Sequence, residues 1–177
     1  MVCFKKKLEN TCKKRVLSLD STMIKAHFNA CGAIGGNDKI GKTKGGINTK
    51  VTVVCDEKLN PVNLQIDSGN KSDMKIGEEI ADIIEKSSIL VADKGYNSEK
   101  IRGKLRKRKI RPVIPYKKNS KKRKKISSKK LYKKRNVIER FFLKLKKFRR
   151  INTRFDKLAS TFQSFVVIAF TCLMIGL

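Results

Sequence analysis

Apolar and polar positions along the chain alternate with two different periods, and the switches between them mark out short elements. Residues 15–19 (RVLSL) read as a strand ending at Asp20, and residues 22–28 as further extended chain. Six glycines within residues 29–48 predict a long loop. Residues 49–56 (TKVTVVCD) are β-branched and alternating, which predicts a strand. Asn60-Pro61 then marks a turn into a second strand over 62–66. Ser72 or Asp73 is placed to cap a helix over 74–86, where Met74, Ile76, Ile80, Ile83 and Ile84 recur at helical spacing. Residues 88–92 (SILVA) form a short unbroken apolar run, the pattern of a buried strand, and it ends at Asp93. Ser98 caps a basic helix to about Lys109, and Arg111–Ile114 is a short strand closed by Pro115. One long helix over 131–150 and a second over about 157–175 complete the chain.

Three antiparallel strands followed by helix, strand, helix and strand is the order of an α/β, ribonuclease-H-like fold: a mixed sheet with flanking helices, here with C-terminal helices added. The expected organisation is a basic N-terminal segment over 1–14 and one catalytic-sized domain over 15–177. The basic, polar stretch 117–130 inside that domain is expected to be mobile without a partner. Residues 159–177 imitate a membrane span, but Ser160, Thr161, Gln163, Ser164 and Thr171 interrupt them. A buried terminal helix is the expectation, with no membrane partner. The N-terminus has no apolar leader region.

Charge narrows the partner. Lys and Arg total 44 against 15 acidic residues, a formal charge of +29. Lys predominates, so biased codon usage explains part of the excess. The remainder points to a polyanion, since cations that neutralise phosphates release counterions and so bind nucleic acid in a salt-dependent way. Five scattered cysteines, no C-x-x-C pair and a single histidine, His27, argue against zinc and for reduced thiols.

In so basic a chain the acidic residues are the informative ones. Asp20 and Asp93 each follow an apolar strand, and open α/β sheets bind ligands at the carboxyl ends of their strands. Either residue alone is equally well a turn or capping residue. A third carboxylate lies on the helix over 131–150. At about 100° per residue, Tyr132, Arg135, Glu139 and Lys146 fall on one stripe, with Val137, Ile138, Phe141, Leu145 and Phe148 roughly opposite. An ordinary amphipathic helix accounts for the apolar face but not for this ordered polar set.

Tyr132, Arg135, Glu139 and Lys146 resemble the Y-x2-R-x3-E-x6-K signature of bacterial insertion-sequence transposases of the DDE type, in the insertion-sequence-five class. LSLDSTMIKAH, GKTKGGINTKVTVVCD, LVADKGYNSEKIR and NVIERFFLKLKKFRRINTRFDKLASTF resemble further segments of that family in the same order, over about residues 15–175. The resemblance implies that Asp20, Asp93 and Glu139 are the catalytic, metal-binding triad. Tyr132, Arg135 and Lys146 would then be a DNA-contacting stripe, with Arg149 and Arg150 beside it. It implies two Mg²⁺ ions, with Mn²⁺ as substitute, Asp20 bridging them, and DNA cleavage followed by strand transfer. The partner would be double-stranded DNA, both element ends and target. A homodimer on DNA or an assembly with an upstream-frame product would act in the bacterial cytoplasm, at the nucleoid. About fourteen residues precede the first strand, where family members usually carry an end-recognition region.

Other features are weaker. Residues 36–43 match the P-loop pattern G-x-x-x-x-G-K-[ST], but a poor strand precedes them and a strand, not a helix, follows, so a turn is expected. His27 reads as structural or exposed, and Asp73 as a helix cap near the site. Arg154, like Arg149 and Arg150, reads equally as a phosphate grip or a solvated helix end. Two alternatives stay open: a basic nucleic-acid-binding protein without catalysis, and a truncated transposase fragment inactive alone.

Overall fold

The structure, a computed structural model, describes residues 2–3, 15–86, 88–117, 120 and 128–176. Its strands are β1 (Val2–Cys3), β2 (Val16–Ala26), β3 (Gly41–Thr43), β4 (Gly46–Asp56), β5 (Pro61–Ser68), β6 (Ile89–Ala92), β7 (Arg111–Val113) and β8 (Thr153–Arg154). The helices are α1 (Asp73–Ile83), α2 (Glu99–Lys107), α3 (Lys129–Lys133), α4 (Asn136–Leu145), α5 (Arg149–Asn152) and α6 (Ala159–Ile175). The sheet runs in the order β1-β5-β4-β2-β6-β7, with β3 paired to β4 and β8 to β2. β2, β4 and β5 form an antiparallel meander, and β6 and β7 join parallel to β2. This is the mixed, ribonuclease-H-like sheet that the element order predicts.

Pleating divides the apolar residues between two layers. Leu17, Leu19, Val54, Leu90 and Ala92 face α1 and α2, whose Ile76, Ile80, Ile101 and Leu105 are buried against them. Gly77 allows the two helices their close approach, because a Cβ there would lie 2.9 Å from Ile101 and 3.0 Å from Tyr96. The opposite face of the sheet, with Ile24, Val51, Val53, Leu64 and Ile66, is covered by α4, α5 and α6. There Phe141 meets Phe170 edge-on at 4.8 Å between ring centroids, and both rings are buried. Truncating either to Ala should cost about 3–5 kcal/mol. β6 is buried on both faces, which is why it reads as a continuous apolar run.

Three elements differ from the sequence-based expectation. The strand expected to end at Asp20 and the extended chain expected over 22–28 are one unbroken strand, β2, to Ala26, because β4 pairs with it from Leu17↔Asp56 to Lys25↔Asn48. Its parallel neighbour β6 does stop, at Leu19↔Ala92, so Asp20 and Asp93 each lie one residue beyond the end of the parallel pairing. The glycine-rich stretch is not all loop. β3 and β4 form a hairpin whose last pair is Thr43↔Gly46, closed by Asn48 Nδ2 donating to Thr43 Oγ1 at 2.6 Å, with Gly46 at φ +93°. The single helix expected over 131–150 is three pieces, α3, α4 and α5. Between α3 and α4, Lys134, Arg135, Val137 and Ile138 donate to the carbonyls three residues back, so the chain tightens into a 3₁₀ turn.

Most of the basic stretch 117–130, expected to be mobile, lies outside the described residues, as does most of 1–14. No described helix is long and apolar enough to cross a membrane. α6 instead buries Ala159, Phe162, Val166, Ala169 and Phe170 against the domain.

Candidate active site

Asp20 lies on the same face of β2 as Ile24, the face covered by α4, two strand repeats along from it. The 3₁₀ turn before α4 brings side chains down onto it. Residues three apart eclipse in such a turn, so Tyr132 and Arg135 are aimed the same way. Arg135 Nη1 donates to Asp20 Oδ2 at 3.0 Å, and Arg135 Nη2 donates to Glu139 Oε1 at 2.5 Å. Tyr132 Oη donates to Asp93 Oδ1 at 3.3 Å. The middle of β2, the residue after β6 and the first turn of α4 thus bring Asp20, Asp93 and Glu139 within reach of Arg135 and Tyr132, which link them.

The electrostatics report the same proximity. Burial pushes the Asp20 carboxyl above its ordinary range. The Ser21 N–H, donating to Oδ1 at 2.9 Å, and the Arg135 guanidinium pull it back, while the charges of Asp93 and Glu139 push it up again. Arg135 is held further toward its charged form despite its own burial, because Asp20 and Glu139 outweigh the desolvation. Both directions are consistent: the ion pair favours Arg135⁺, but desolvation and two neighbouring carboxylates leave Asp20 a reluctant anion. Burial, and then Asp93, also raise the Tyr132 phenol.

On the α1/α2 face, behind Asp20, lies a support that sequence reasoning missed. Tyr96, 2% exposed, shares a hydrogen bond with Ser21 Oγ at 2.5 Å, and Ser21 Oγ a second with Thr52 Oγ1 at 2.8 Å. Tyr96 therefore ties the turn after Asp93 to the residue after Asp20. The available signal was a tyrosine three residues after the strand-end aspartate, in ADKGYNS. Gly95 lets α1 close on this turn: a Cβ there would stand 3.0 Å from Asp73 Oδ2. Asp73 opens α1 and takes the buried Lys50 ammonium at 2.8 Å, while the helix cap itself is Ser72.

The remaining sequence candidates divide. Lys146, half-buried, caps the C-terminus of α4. Arg149 is exposed at the start of α5. Arg150 donates to the buried Asp156 at 2.6 Å and lies 3.6 Å over the Phe165 ring, so part of its charge is already committed. Arg154 is neither a phosphate grip nor solvated. It is fully buried, and its guanidinium donates to the carbonyls of Asp38, Asp156 and Lys157 and to Thr49 Oγ1. His27 packs between Phe28 and Phe155 and takes the Asn29 N–H. The P-loop look-alike runs into β3, with no helix after it to cradle a phosphate.

As a metal site the donor set is chemically apt: three carboxylates supply the hard oxygens that Mg²⁺ and Mn²⁺ prefer. Among the described residues no three acidic, histidine or cysteine side chains are yet close enough together to share one ion. Here the Arg135 guanidinium bridges two of the carboxylates. A separate cleft of about 490 Å³, lined by Lys39, Gln65, Asp67, Lys71, Glu79 and Gln163, contains none of the three. Its acids are already paired, Lys71 lying 2.7 Å from Asp67 and 2.8 Å from Glu79, and a duplex needs an open face rather than a pocket.

A family model described as the transposase DDE domain matches residues 11–175. Curated proteins include no match. The cryo-EM structure of the piggyBac transposase synaptic complex with hairpin DNA is similar at a TM-score of 0.40 and 14% identity, over 60% of this chain and 24% of that one. This chain therefore spans about a quarter of that chain's length.

Proposed function

We propose that this chain, which belongs to the transposase DDE domain family, cuts and joins DNA with Asp20, Asp93 and Glu139 as its metal-binding carboxylates. The observation that carries the reading is their convergence from β2, from the end of β6 and from α4, linked through Arg135 and Tyr132. Two divalent cations, Mg²⁺ or Mn²⁺, would be held by these three residues and would activate the attacking oxygen and stabilise the leaving one.

The protein's own groups supply position and charge. Tyr96 and Thr52, through Ser21, hold the backbone that carries Asp20 in register with the turn that carries Asp93. Lys146, at the end of α4, and Arg149 and Arg150, at the start of α5, are proposed to take DNA phosphates, with Arg135 and Tyr132 nearer the scissile bond. Phosphate contacts position a protein without reading sequence, so affinity from these residues is salt-dependent and weakly selective. One phosphodiester is exchanged for another, so no nucleotide energy source is needed. The finer parts of the reading rest on the four family-like segments: membership of the insertion-sequence-five class, double-stranded element ends and target as substrates, and action in the bacterial cytoplasm. A homodimer on DNA, or an assembly with an upstream-frame product, belongs to the same reading.

The test is cleavage and strand transfer on a duplex carrying the sequences that flank this reading frame, with Mg²⁺ or Mn²⁺. Asp20→Asn, Asp93→Asn and Glu139→Gln should each lower the rate about a thousandfold, equivalent to roughly 4 kcal/mol of charge stabilisation. Salt-dependent DNA binding with neither metal binding nor cleavage would favour a non-catalytic nucleic-acid-binding protein instead.

A further inference from the structure

Arg135 is where a solvent-facing DNA contact would not be expected. Its side chain is 18% exposed and that of Asp20 19%, and the guanidinium spans from Asp20 at 3.0 Å to Glu139 at 2.5 Å. Two of its three nitrogens are thus occupied by two of the three proposed metal ligands. It is carried by the 3₁₀ turn between α3 and α4, at the N-cap position of α4, where it makes no capping hydrogen bond. The same turn carries Tyr132, whose ring centroid is 5.8 Å from the guanidinium and whose hydroxyl holds Asp93. All three carboxylates are therefore engaged by one short, locally tightened piece of chain.

We propose that Arg135 is an internal counter-ion that competes with the divalent cation for Asp20 and Glu139, and that a DNA phosphate, by drawing Arg135 away, couples DNA binding to metal binding. This rests on the reading above that Asp20 and Glu139 are metal ligands. The physical case is one of exclusion. A guanidinium and a divalent cation repel each other and seek the same carboxylate oxygens, so both cannot sit between Asp20 and Glu139. The guanidinium fork matches a phosphate as well as it matches a carboxylate pair, which gives it an alternative partner. Coupling of this kind is reciprocal: DNA raises metal affinity by the factor by which metal raises DNA affinity. Clustered carboxylates without DNA then have a counter-charge of their own, and the cation is taken up where the substrate is.

The probe is Mn²⁺, titrated by calorimetry into the full chain with and without a random-sequence duplex, with duplex alone as blank. In the wild type, DNA is expected to raise Mn²⁺ affinity on the order of tenfold, within the range usual for coupled sites. Arg135→Gln should bind Mn²⁺ more tightly without DNA by a similar factor and lose the response to DNA. Arg135→Lys keeps the charge but not the fork, and should fall between the two. A purely structural ion pair predicts the opposite, unchanged or weaker Mn²⁺ binding in Arg135→Gln, and that result overturns the proposal, as does a DNA response that persists in that variant. If thermal melts show Arg135→Gln unfolded, the wild-type response to DNA and Arg135→Lys decide: no DNA enhancement in the wild type overturns it. Mn²⁺ binding that survives both Asp20→Asn and Glu139→Gln would instead remove the metal-ligand reading underneath.

Discussion

Replacing the buried Arg154 by Met tests how the half of the domain that carries α4 is held together. Met keeps most of the aliphatic stem, so little cavity opens, and the loss is of hydrogen bonds. Four are well formed: to the carbonyls of Asp156 at 2.8 Å, Asp38 at 2.8 Å and Lys157 at 2.9 Å, and to Thr49 Oγ1 at 2.7 Å. At about 1 kcal/mol of net stabilisation for each bond, the loss is roughly 4 kcal/mol. A domain of this size is stable by only about 5–15 kcal/mol. With a urea slope of about 2 kcal/mol per molar, the unfolding midpoint should move down by about 2 M. The effect should also be local. Asp38 Oδ2 accepts the Ala159 N–H at 2.7 Å, so loosening the Asp38 loop removes the partner of the first turn of α6. Hydrogen exchange in residues 159–163 should then accelerate in native conditions. A midpoint shift equivalent to less than about 1 kcal/mol, at unchanged slope, would show that Arg154's desolvation cancels its bonds and refute the reasoning.

Tyr96→Phe removes the hydrogen bond to Ser21 but leaves Ser21 bonded to Thr52, so a thermal melt should report a loss of about 1–2 kcal/mol; an unchanged melt would deny the tie between the two aspartate segments. Burial pushes the Asp56 carboxyl up, but donors from Asn60, Arg15 and Lys58 outweigh it and hold the group below 3.8. A depressed folded value gives stability that is present above the unfolded value and lost as pH falls through the folded one. Asp56→Asn should therefore cost about 2 kcal/mol near neutrality and progressively less in acid below 3.8; an equal deficit in both urea series would contradict this. DNA affinity should fall steeply with salt, and Lys146→Gln should lower the slope of log affinity against log salt by about one, measured on random duplexes. A slope unchanged by that substitution would remove Lys146 from the phosphate contacts.

The chain's local patterns determined most of the element order, because period-two and period-3.6 burial is written residue by residue. The apolar run before Asp93, the Ser72 and Ser98 caps and the apolar face of α4 all follow from neighbours within a few positions. The same patterns marked Asp20, Asp93 and Glu139 as acids out of place in a basic chain, and the Tyr132–Lys146 spacing as an ordered polar stripe. What only the tertiary structure decided are the partners. The length of β2 depends on β4 pairing along all of it while β6 ends beside Leu19, a fact of register between distant segments. Arg154 and Arg150 look alike in sequence, yet one is walled in by the Asp38 loop and α6 and the other is half-exposed, because topology chooses which cation meets buried acceptors. Arg135 likewise reads as a DNA contact on the polar stripe of one ideal helix. The 3₁₀ turn at its position, and the burial of Asp20 beneath it, turn its charge inward onto two carboxylates. Charge and helical face are properties of a sequence, but where a long cationic side chain finds its counter-charge is settled by the fold that brings that charge within reach.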